Sequence, residues 1–283
     1  MTPYVTRFAP SPTGYLHLGH AFSAVFAARC ATQTPGGSFL LRLEDIDQGR
    51  CRPEFAEAIL EDLAWLGLRW EEPVRRQSEH MADYSAALER LQSQGLLYPC
   101  FCTRTDIAAE IDRLGQAPHG PDGPIYPGLC RSLTGEERAQ RVKAGEAYAL
   151  RLDVSKAMEK AGELTWQDLD RGEQTARPEM FGDVVLARKD CPTSYHLAVT
   201  VDDHLQGVTL VTRGEDLFAA THVHRLLQAL LGLNVPMWRH HGLLTTPEGR
   251  RLAKRDQSLT LRALRQSGCS ATDVLRMAQG EVV

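Results

Sequence analysis

The sequence lacks the features that would direct a protein into or across a membrane. No apolar run in its 283 residues approaches the roughly 20 residues that a membrane-spanning helix needs. The amino terminus does not resemble a secretory signal peptide, because Arg7 and three prolines interrupt it. We therefore expect a cytoplasmic protein without a membrane partner.

The sequence also lacks the marks of a disulfide scaffold and of a protein that coats nucleic acid. Its seven cysteines are an odd number in a chain without secretory context, so no disulfide framework is expected. Its net charge of −4 argues against general nucleic-acid binding, and no DNA partner is expected, although a local basic face stays open. With 43% apolar and 24% charged residues, the chain has the composition of an ordinary soluble protein with ample core.

The amino-terminal stretch carries the most specific pattern in the chain. Strand-forming residues at 4–8 are followed by a loop that two prolines and a glycine stiffen at 10–14. After Gly19, residues 21–28 are rich in alanine and apolar at helical spacing. A strand, a stiff loop and a helix predict the first half of a nucleotide-binding α/β unit, in which the helix amino terminus offers N–H groups to a phosphate.

His17 and His20 flank Gly19 at the point where the phosphates would lie. Imidazole groups can donate hydrogen bonds to a triphosphate, and Gly19 lets a flat base approach the backbone without a Cβ in between. These three residues alone leave open a capped helix with two surface histidines. The whole run over residues 7–20, RFAPSPTGYLHLGH, resembles the signature of class I aminoacyl-tRNA synthetases and in particular their glutamate-specific branch.

This resemblance implies a fold and a nucleotide site. The implied fold is α/β, a Rossmann-type class I aminoacyl-tRNA synthetase catalytic domain with an inserted zinc-binding and acceptor-binding subdomain. ATP is then the nucleotide, with Mg²⁺ on its phosphates. His17 and His20 are the implied catalytic residues, and they contact ATP together with Gly19.

A second element, LRLEDID, resembles the part of the glutamate-specific branch that holds the amino acid. In this element a predicted buried strand is followed by three carboxylates within residues 44–47. Without the resemblance, these carboxylates would indicate an ordinary solvated loop. The resemblance implies that Glu44 faces the substrate ammonium and that Arg7 pairs with the side-chain carboxylate of glutamate. Ala9 and Ser11 are implied contacts of the same substrate.

The second half of the chain resembles the second half of the glutamate-type catalytic domain. We predict strands there at residues 184–188, 195–199 and 208–212. The resemblance implies that Tyr195 and Arg213 contact glutamate, so that two arginines favour a carboxylate over a neutral amide. A structural ion pair between Arg213 and Asp216 is the alternative.

We predict a metal site formed by three cysteines and a fourth ligand, for which His119 and Tyr126 are the two candidates. Cys100 and Cys102 are one residue apart, and Cys130 lies in a segment rich in proline and glycine, a set of soft ligands that suits zinc. From residue types, His119 is the usual fourth ligand. The suspected family holds zinc with Cys-x-Cys and Tyr-x-x-x-Cys, and this resemblance favours Tyr126. We expect one structural zinc ion.

A basic loop near the carboxyl terminus resembles the mobile lysine loop of class I synthetases, although an ordinary basic surface loop would look similar. In this chain Arg251 replaces the first lysine of that loop and Ala253 replaces its serine, whereas Lys254 is retained. The resemblance implies that Lys254 contacts ATP as a catalytic residue and neutralises charge on the pyrophosphate leaving group.

We predict four segments: 1–98 as the first half of the catalytic domain, 99–182 as the inserted zinc-containing subdomain, 183–260 as the second half with the lysine loop, and 261–283 as a short helical end. Twenty-nine residues follow Lys254, too few for the anticodon-binding domain of a full glutamyl-tRNA synthetase. The nearest resemblance is therefore to the stand-alone branch of the family, which modifies tRNA. We expect a monomer, with tRNA held near the pocket by the insertion.

The resemblance to this branch implies the reaction. ATP activates L-glutamate to glutamyl-adenylate, and the glutamyl group passes to queuosine at the wobble position of tRNA(Asp). Three alternatives stay open: a shortened synthetase that charges a tRNA 3′ end, a small-molecule nucleotidyltransferase with the same histidine motif, and a silent tRNA-binding module.

Overall fold

The computed structural model describes residues 2–114, 119–244 and 260–278. The described helices are α1 Leu18–Ala31, α2 Pro53–Trp65, α3 Met81–Ser93, α4 Arg104–Leu114, α5 Gly135–Lys143, α6 Val154–Ala161, α7 Tyr195–Leu205, α8 Ala220–Leu231, α9 Leu261–Gln266 and α10 Ala271–Ala278. The described strands are β1 Val5–Phe8, β2 Ser38–Leu43, β3 Glu71–Arg76, β4 Leu97–Cys100, β5 His119–Gly120, β6 Gly123–Pro124, β7 Ala149–Leu152, β8 Thr165–Asp168, β9 Gly172–Thr175, β10 Val185–Ala187, β11 Leu210–Gly214 and β12 Met237–His241. No helix among these is long and apolar enough to cross a membrane.

The amino-terminal unit has the predicted order of strand, loop and helix. Strand β1 ends at Phe8, and α1 begins at Leu18 with His17 as its N-cap. Strand β2 then pairs in parallel with β1, as expected for two strands joined by a helix. The predicted α/β unit of strand, loop and helix is confirmed, and its binding of a nucleotide stays a prediction.

Two groups of parallel strands lie side by side at the centre of the molecule. One has the order β1-β2-β3, and in the other β11 pairs in parallel with β12. They meet where the N–H of Thr209 donates to the carbonyl oxygen of Val5 over 3.0 Å, so that β1 and β11 are neighbours. The sequence-remote halves of the chain therefore meet between β1 and β11, the kind of switch point at which open α/β sheets bind ligands.

The remaining strands connect the central strands to the insertion. Strand β8 pairs in parallel with β12 and in antiparallel with β9. Strands β10, β7 and β4 form an antiparallel sheet, which takes strands from the first three predicted segments. The insertion thus contributes β8 to the same sheet as β11 and β12.

The prediction of a strand at 195–199 is wrong, because these residues open helix α7. Ser194 caps the helix, and its side chain accepts a hydrogen bond from the N–H of Leu197. Every residue from Leu197 to Asp203 is buried. A helix buried on nearly every side carries no broad solvent-exposed polar face, so its periodicity does not distinguish it from a buried strand.

The carboxyl-terminal helices return to the amino-terminal unit. The N–H of Leu261 donates to the carbonyl oxygen of Leu16 over 2.8 Å, and Thr260 forms a β-bridge with His17. Leu261 and Val274 are fully buried in the same hydrophobic cluster as α1 and α2. The end of the chain thus supports the loop that carries the two histidines.

Candidate active site

A cavity of about 540 Å³ opens at the carboxyl ends of β1, β11 and β12. Its lining includes the following predicted site residues: Arg7, Ala9, His17, Gly19, His20, Glu44, Tyr195 and Arg213. Ser11 is exposed and is not among the lining residues, so the structure does not bring it together with the others. Lys254, Arg251 and Ala253 lie outside the described residues. One cavity at the switch point therefore collects most of a site that the sequence distributes over more than 200 residues.

The two histidines are held by the helix terminus that they flank. Nδ1 of His17 accepts the N–H of Gly19 over 3.1 Å, and Nδ1 of His20 accepts the N–H of His17 over 3.2 Å. The rings lie 3.8 Å apart, centroid to centroid. Because each Nδ1 accepts a hydrogen bond, each neutral ring carries its proton on Nε2 as a donor. A Cβ on Gly19 would lie 3.1 Å from Cε1 of His17, a tight contact that the His17 ring would have to shift to relieve.

Arg7 is paired with a carboxylate of the protein. Its Nε lies 2.9 Å from Oδ1 of Asp203 and its Nη2 lies 3.3 Å from Oδ2, while Nη1 donates to the carbonyl oxygen of Thr212. The same carboxylate accepts a hydrogen bond from Arg42 over 2.5 Å. Burial alone would raise the pKa of Asp203, but the charges of Arg7 and Arg42 outweigh it and lower that pKa.

The carboxylate next along the chain extends this network. Asp202 is fully buried and accepts hydrogen bonds from Nε of Arg75 over 2.7 Å, from Gln77 and from Tyr84. Asp202 and Asp203 therefore tie helix α7 to β1, β2 and β3. Neither aspartate was assigned a role from the sequence, although two adjacent carboxylates inside an apolar run are a sign of buried pairing.

Glu44 faces the cavity from the end of β2. Burial raises its pKa to about 7, against the opposing effect of the charges on Arg42 and Arg7. A carboxyl group poised in this way gains its full charge when a cation binds beside it. This environment suits the predicted contact with a substrate ammonium group.

Arg213 is a buried cation held by neutral groups. Its Nη1 donates to Oη of Tyr195 and to Nδ1 of His224, each over 3.2 Å. Nε donates to Nε2 of His240 over 3.2 Å, and Nη2 donates to the hydroxyl of Thr221. No carboxylate is among the contacts that the structure describes for Arg213.

An ion pair between Arg213 and Asp216, the alternative from the sequence, is not among the contacts that the structure describes for Arg213. Both residues line the cavity, but the hydrogen bonds of the guanidinium go to other partners. Burial of an arginine charge without a carboxylate contact is costly, and an anion bound in the cavity would offset that cost.

The histidines around Arg213 were missed from the sequence. His240 accepts from Arg213 through Nε2, and its Nδ1 lies 2.7 Å from Oδ2 of Asp168. Burial lowers the pKa of His240 to about 4, and the nearby charge of Arg213 acts in the same direction. The one available signal was the pair His240–His241 at the end of a strand, because parallel sheets place ligand contacts there.

The predicted metal ligands also come together, at a distance from the cavity. The Sγ atoms of Cys100, Cys102 and Cys130 all lie within 4.8 Å of one another, and those of Cys102 and Cys130 are 3.4 Å apart. Oη of Tyr126 lies 3.4 Å from Sγ of Cys100 and 3.6 Å from Sγ of Cys102. Ligand atoms around a tetrahedral zinc ion are about 3.3–3.8 Å apart, so this set fits a metal ion.

The surroundings of the thiols distinguish between the two candidates for the fourth ligand. The guanidinium carbon of Arg151 lies 3.9 Å above the ring of Tyr126, and the N–H of Cys130 donates to its hydroxyl over 2.8 Å. His119 is exposed on β5 and does not belong to the clustered groups found among the described residues. The geometry favours Tyr126.

Charge at the cluster also suits a cation. Burial raises the pKa of the Cys100 thiol, but hydrogen bonds from Tyr126 and Arg151 outweigh it and the pKa falls below its usual value. Burial raises the pKa of Cys102 to about 12, with a further contribution from Cys130 beside it. The Cys102 thiol therefore keeps its proton more readily than the Cys100 thiol, and a cation bound at the cluster would favour the thiolate forms.

A family model described as tRNA synthetases class I (E and Q), catalytic domain, matches residues 4–279. A glutamyl-Q tRNA(Asp) synthetase from Rhodobacter capsulatus is 50% identical over 96% of this chain and 99% of its own length. Another from Symbiobacterium thermophilum is 44% identical over 95% of this chain and 83% of its own length. A glutamate–tRNA ligase 2 from a Methylobacterium species is also 44% identical, over 97% of this chain and 59% of its own length.

Solved structures give the same family. A glutamate tRNA ligase from Elizabethkingia meningosepticum, solved in complex with its amino acid, aligns with a TM-score of 0.76 at 30% identity. The alignment covers 91% of this chain and 53% of that ligase. The chain thus spans about half the length of the solved ligase.

Proposed function

Because the chain belongs to the class I tRNA synthetases for glutamate and glutamine, we propose that it activates L-glutamate with ATP and transfers the glutamyl group to queuosine at the wobble position of tRNA(Asp). The reaction modifies a tRNA and does not charge its 3′ end. The enzyme is a ligase-type synthetase with L-glutamate, ATP with Mg²⁺, and queuosine-containing tRNA(Asp) as its substrates.

The observation that carries the amino-acid specificity is the environment of Arg213. Its buried charge faces the cavity among neutral hydrogen-bond acceptors, and Glu44 lies in the same lining. The side-chain carboxylate of glutamate would supply the missing anion, and its ammonium would meet Glu44. Glutamine would leave the arginine without a counter-ion, so it would bind more weakly.

The first chemical step needs positioning rather than a protein nucleophile. An oxygen of the substrate α-carboxylate attacks the α-phosphorus of ATP, the bond to the bridging oxygen breaks, and pyrophosphate leaves with the electron pair. His17 and His20 sit at the amino terminus of α1, where Nε2–H donors and the helix dipole favour phosphate oxygens. Lys254 stays a prediction for the leaving group.

The second step transfers the acyl group. A hydroxyl of the queuosine ring attacks the acyl carbon of glutamyl-adenylate, loses its proton, and displaces AMP. The proposal of this acceptor is supported by the relatives named glutamyl-Q tRNA(Asp) synthetase, one of which matches over 99% of its length. The similarity to a glutamate–tRNA ligase 2 makes charging of a tRNA 3′ end the second candidate.

We also propose one structural zinc ion, held by Cys100, Cys102, Cys130 and Tyr126. The separations among these four ligand atoms support it. Zinc would join the end of β4 to the proline-rich segment that carries Cys130, and so stabilise the insertion.

The test of the function uses ATP, labelled glutamate, and bulk tRNA from two strains, one able and one unable to make queuosine. Label confined to the queuosine-containing tRNA is expected. Equal labelling of both pools would establish 3′-end charging instead. Pyrophosphate exchange that depends on glutamate and needs no tRNA is expected as well, and its absence would contradict independent activation.

A further inference from the structure

The contact between Arg213 and His240 continues to a carboxylate of the insertion. Arg213 on β11 is paired in register with His240 on β12. Strand β8, which ends at Asp168, pairs with the other edge of β12. His240 and Asp168 have side chains with no solvent exposure. The ring of His240 also packs at an angle against Phe218, 4.9 Å away between centroids, which restricts its rotation.

The directions of the hydrogen bonds from Arg213 through His240 to Asp168 are determined by the arginine at one end and the carboxylate at the other. An arginine is only a donor, so Nε2 of His240 must accept from Nε of Arg213. Nδ1 must then carry the ring proton and donate to Oδ2 of Asp168 over 2.7 Å. A doubly protonated ring would place an N–H group against the N–H of the guanidinium.

Asp168 is itself held by the backbone. Its Oδ1 accepts the N–H groups of Asp170 and Arg171, each over 3.0 Å, which leaves Oδ2 directed at His240. An asparagine in this position would keep its oxygen on those two N–H groups and turn its NH₂ toward Nδ1 of His240. The imidazole proton would then move to Nε2 and face the donor of Arg213.

We propose that Asp168 and His240 are positioning residues for Arg213. Asp168 selects the tautomer of His240 whose Nε2 accepts from Nε of Arg213, and this contact orients the guanidinium toward the substrate side-chain carboxylate. The inference rests on the proposed function, since it assigns the pair a role in glutamate binding. Neither residue touches the substrate.

The direct test compares the wild type with Asp168→Asn. We expect the Kd and KM for glutamate to rise about 10- to 100-fold, because the substitution replaces one buried hydrogen bond with two donors that face each other. The KM for ATP should change little, because the hydrogen bonds described for the Asp168 side chain go to Asp170, Arg171 and His240 and not to α1. Asp170→Asn is the matched control, since the Asp170 side chain pairs with Arg239 at the surface and its backbone N–H is retained.

Two variants of His240 separate positioning from folding. In His240→Gln an amide oxygen can take the place of Nε2 as acceptor without help from Asp168, whereas His240→Leu has no acceptor. We expect His240→Gln to bind glutamate at least tenfold more tightly than His240→Leu. The double variant Asp168→Asn/His240→Gln should bind more tightly than Asp168→Asn alone, a rescue that loss of stability would not produce.

The outcomes are distinct. Equal glutamate affinity in the wild type and in folded Asp168→Asn overturns the inference and leaves the proposed function intact. Equal affinity of the two His240 variants also overturns it, and this comparison decides the matter if Asp168→Asn does not fold. A wild type that does not bind glutamate overturns the proposed function, and the inference with it.

Discussion

Arg7 on β1 and Asp203 on α7 form a two-pronged ion pair across 196 positions of sequence, with Nε 2.9 Å from Oδ1 and Nη2 3.3 Å from Oδ2. The same carboxylate is shared with Arg42, whose side chain is fully buried. The pair holds Arg7 at the cavity wall and at the same time joins the two halves of the chain. Arg7 therefore has a carboxylate partner within the protein, whereas the described partners of Arg213 are all neutral.

Asp203→Asn should destabilise the protein by about 3–5 kcal/mol, because it leaves the buried Arg7 without its counter-ion and removes one of the two carboxylates beside the buried Arg42. Chemical denaturation of both proteins measures the difference. Asp190→Asn is the control, since its side chain is 77% exposed and its ion pair with Arg188 lies at the surface. A loss below about 1 kcal/mol for Asp203→Asn would show that the network is not needed for stability.

Arg213→Ala should weaken glutamate binding at least about 100-fold, because the substrate carboxylate loses a buried charged partner. Calorimetric titration with glutamate and then glutamine should show that the preference for glutamate is lost, while ATP binding is kept. Arg90→Ala, on the exposed surface of α3, is the control and should bind as the wild type does. Unchanged glutamate affinity in Arg213→Ala would refute the assignment.

Glutamate binding should weaken as the pH falls below the pKa of Glu44, which burial raises to about 7. The carboxylate form attracts the substrate ammonium and the protonated form does not, so affinity is highest above pH 7 and is lost as protons bind. Between pH 8 and pH 6 the Kd should rise about tenfold, since the ionised fraction falls by that factor. The groups of free glutamate do not titrate in this range.

Glu44→Gln provides the comparison for this pH dependence. It should bind glutamate more weakly at pH 8, and its Kd should change little between pH 8 and pH 6 because the titrating group is gone. Calorimetric titrations of both proteins at the two pH values give the result. A wild-type Kd that is the same at pH 6 and pH 8 would exclude Glu44 as the ammonium partner.

Purified protein should contain one zinc ion per chain, and substitution of a ligand should lower its zinc content. We expect Cys102→Ser and Tyr126→Phe to weaken zinc binding about 10- to 100-fold or more, and His119→Ala to leave it unchanged. Metal analysis and a competition with a chelator measure these effects. Full zinc content in Tyr126→Phe together with loss in His119→Ala would reverse the choice of fourth ligand.

Removal of zinc should also lower the thermal stability of the protein, since metal binding stabilises the folded insertion. Unfolding followed with and without chelator tests this. Metal-free preparations whose folding is indifferent to chelator would contradict a structural zinc ion.

The local predictions that succeeded rest on strong short-range signals. Prolines and glycine stop β1, and alanines favour α1. The strand at 195–199 was wrong because helix α7 is buried on nearly every side, and burial removes the polar face on which a periodicity argument depends. Long-range pairing leaves no comparable trace, so the contact of Asp203 with Arg7 could not be read from either segment.

The sequence by itself determined the family and the residue types of the site. It did so through the motif around His17 and His20, the LRLEDID element and the cysteine pattern. Each of these patterns spans enough positions to leave few alternative interpretations. For the fourth metal ligand, the resemblance to the family favoured Tyr126 over His119, and the fold places Tyr126 beside the thiols. Only the tertiary structure decided which charges are already paired. Arg7 and Arg213 look equivalent in sequence, yet the fold gives one a carboxylate and surrounds the other with neutral acceptors, because helix α7 carries Asp203 to β1 and strand β12 carries His240 to β11.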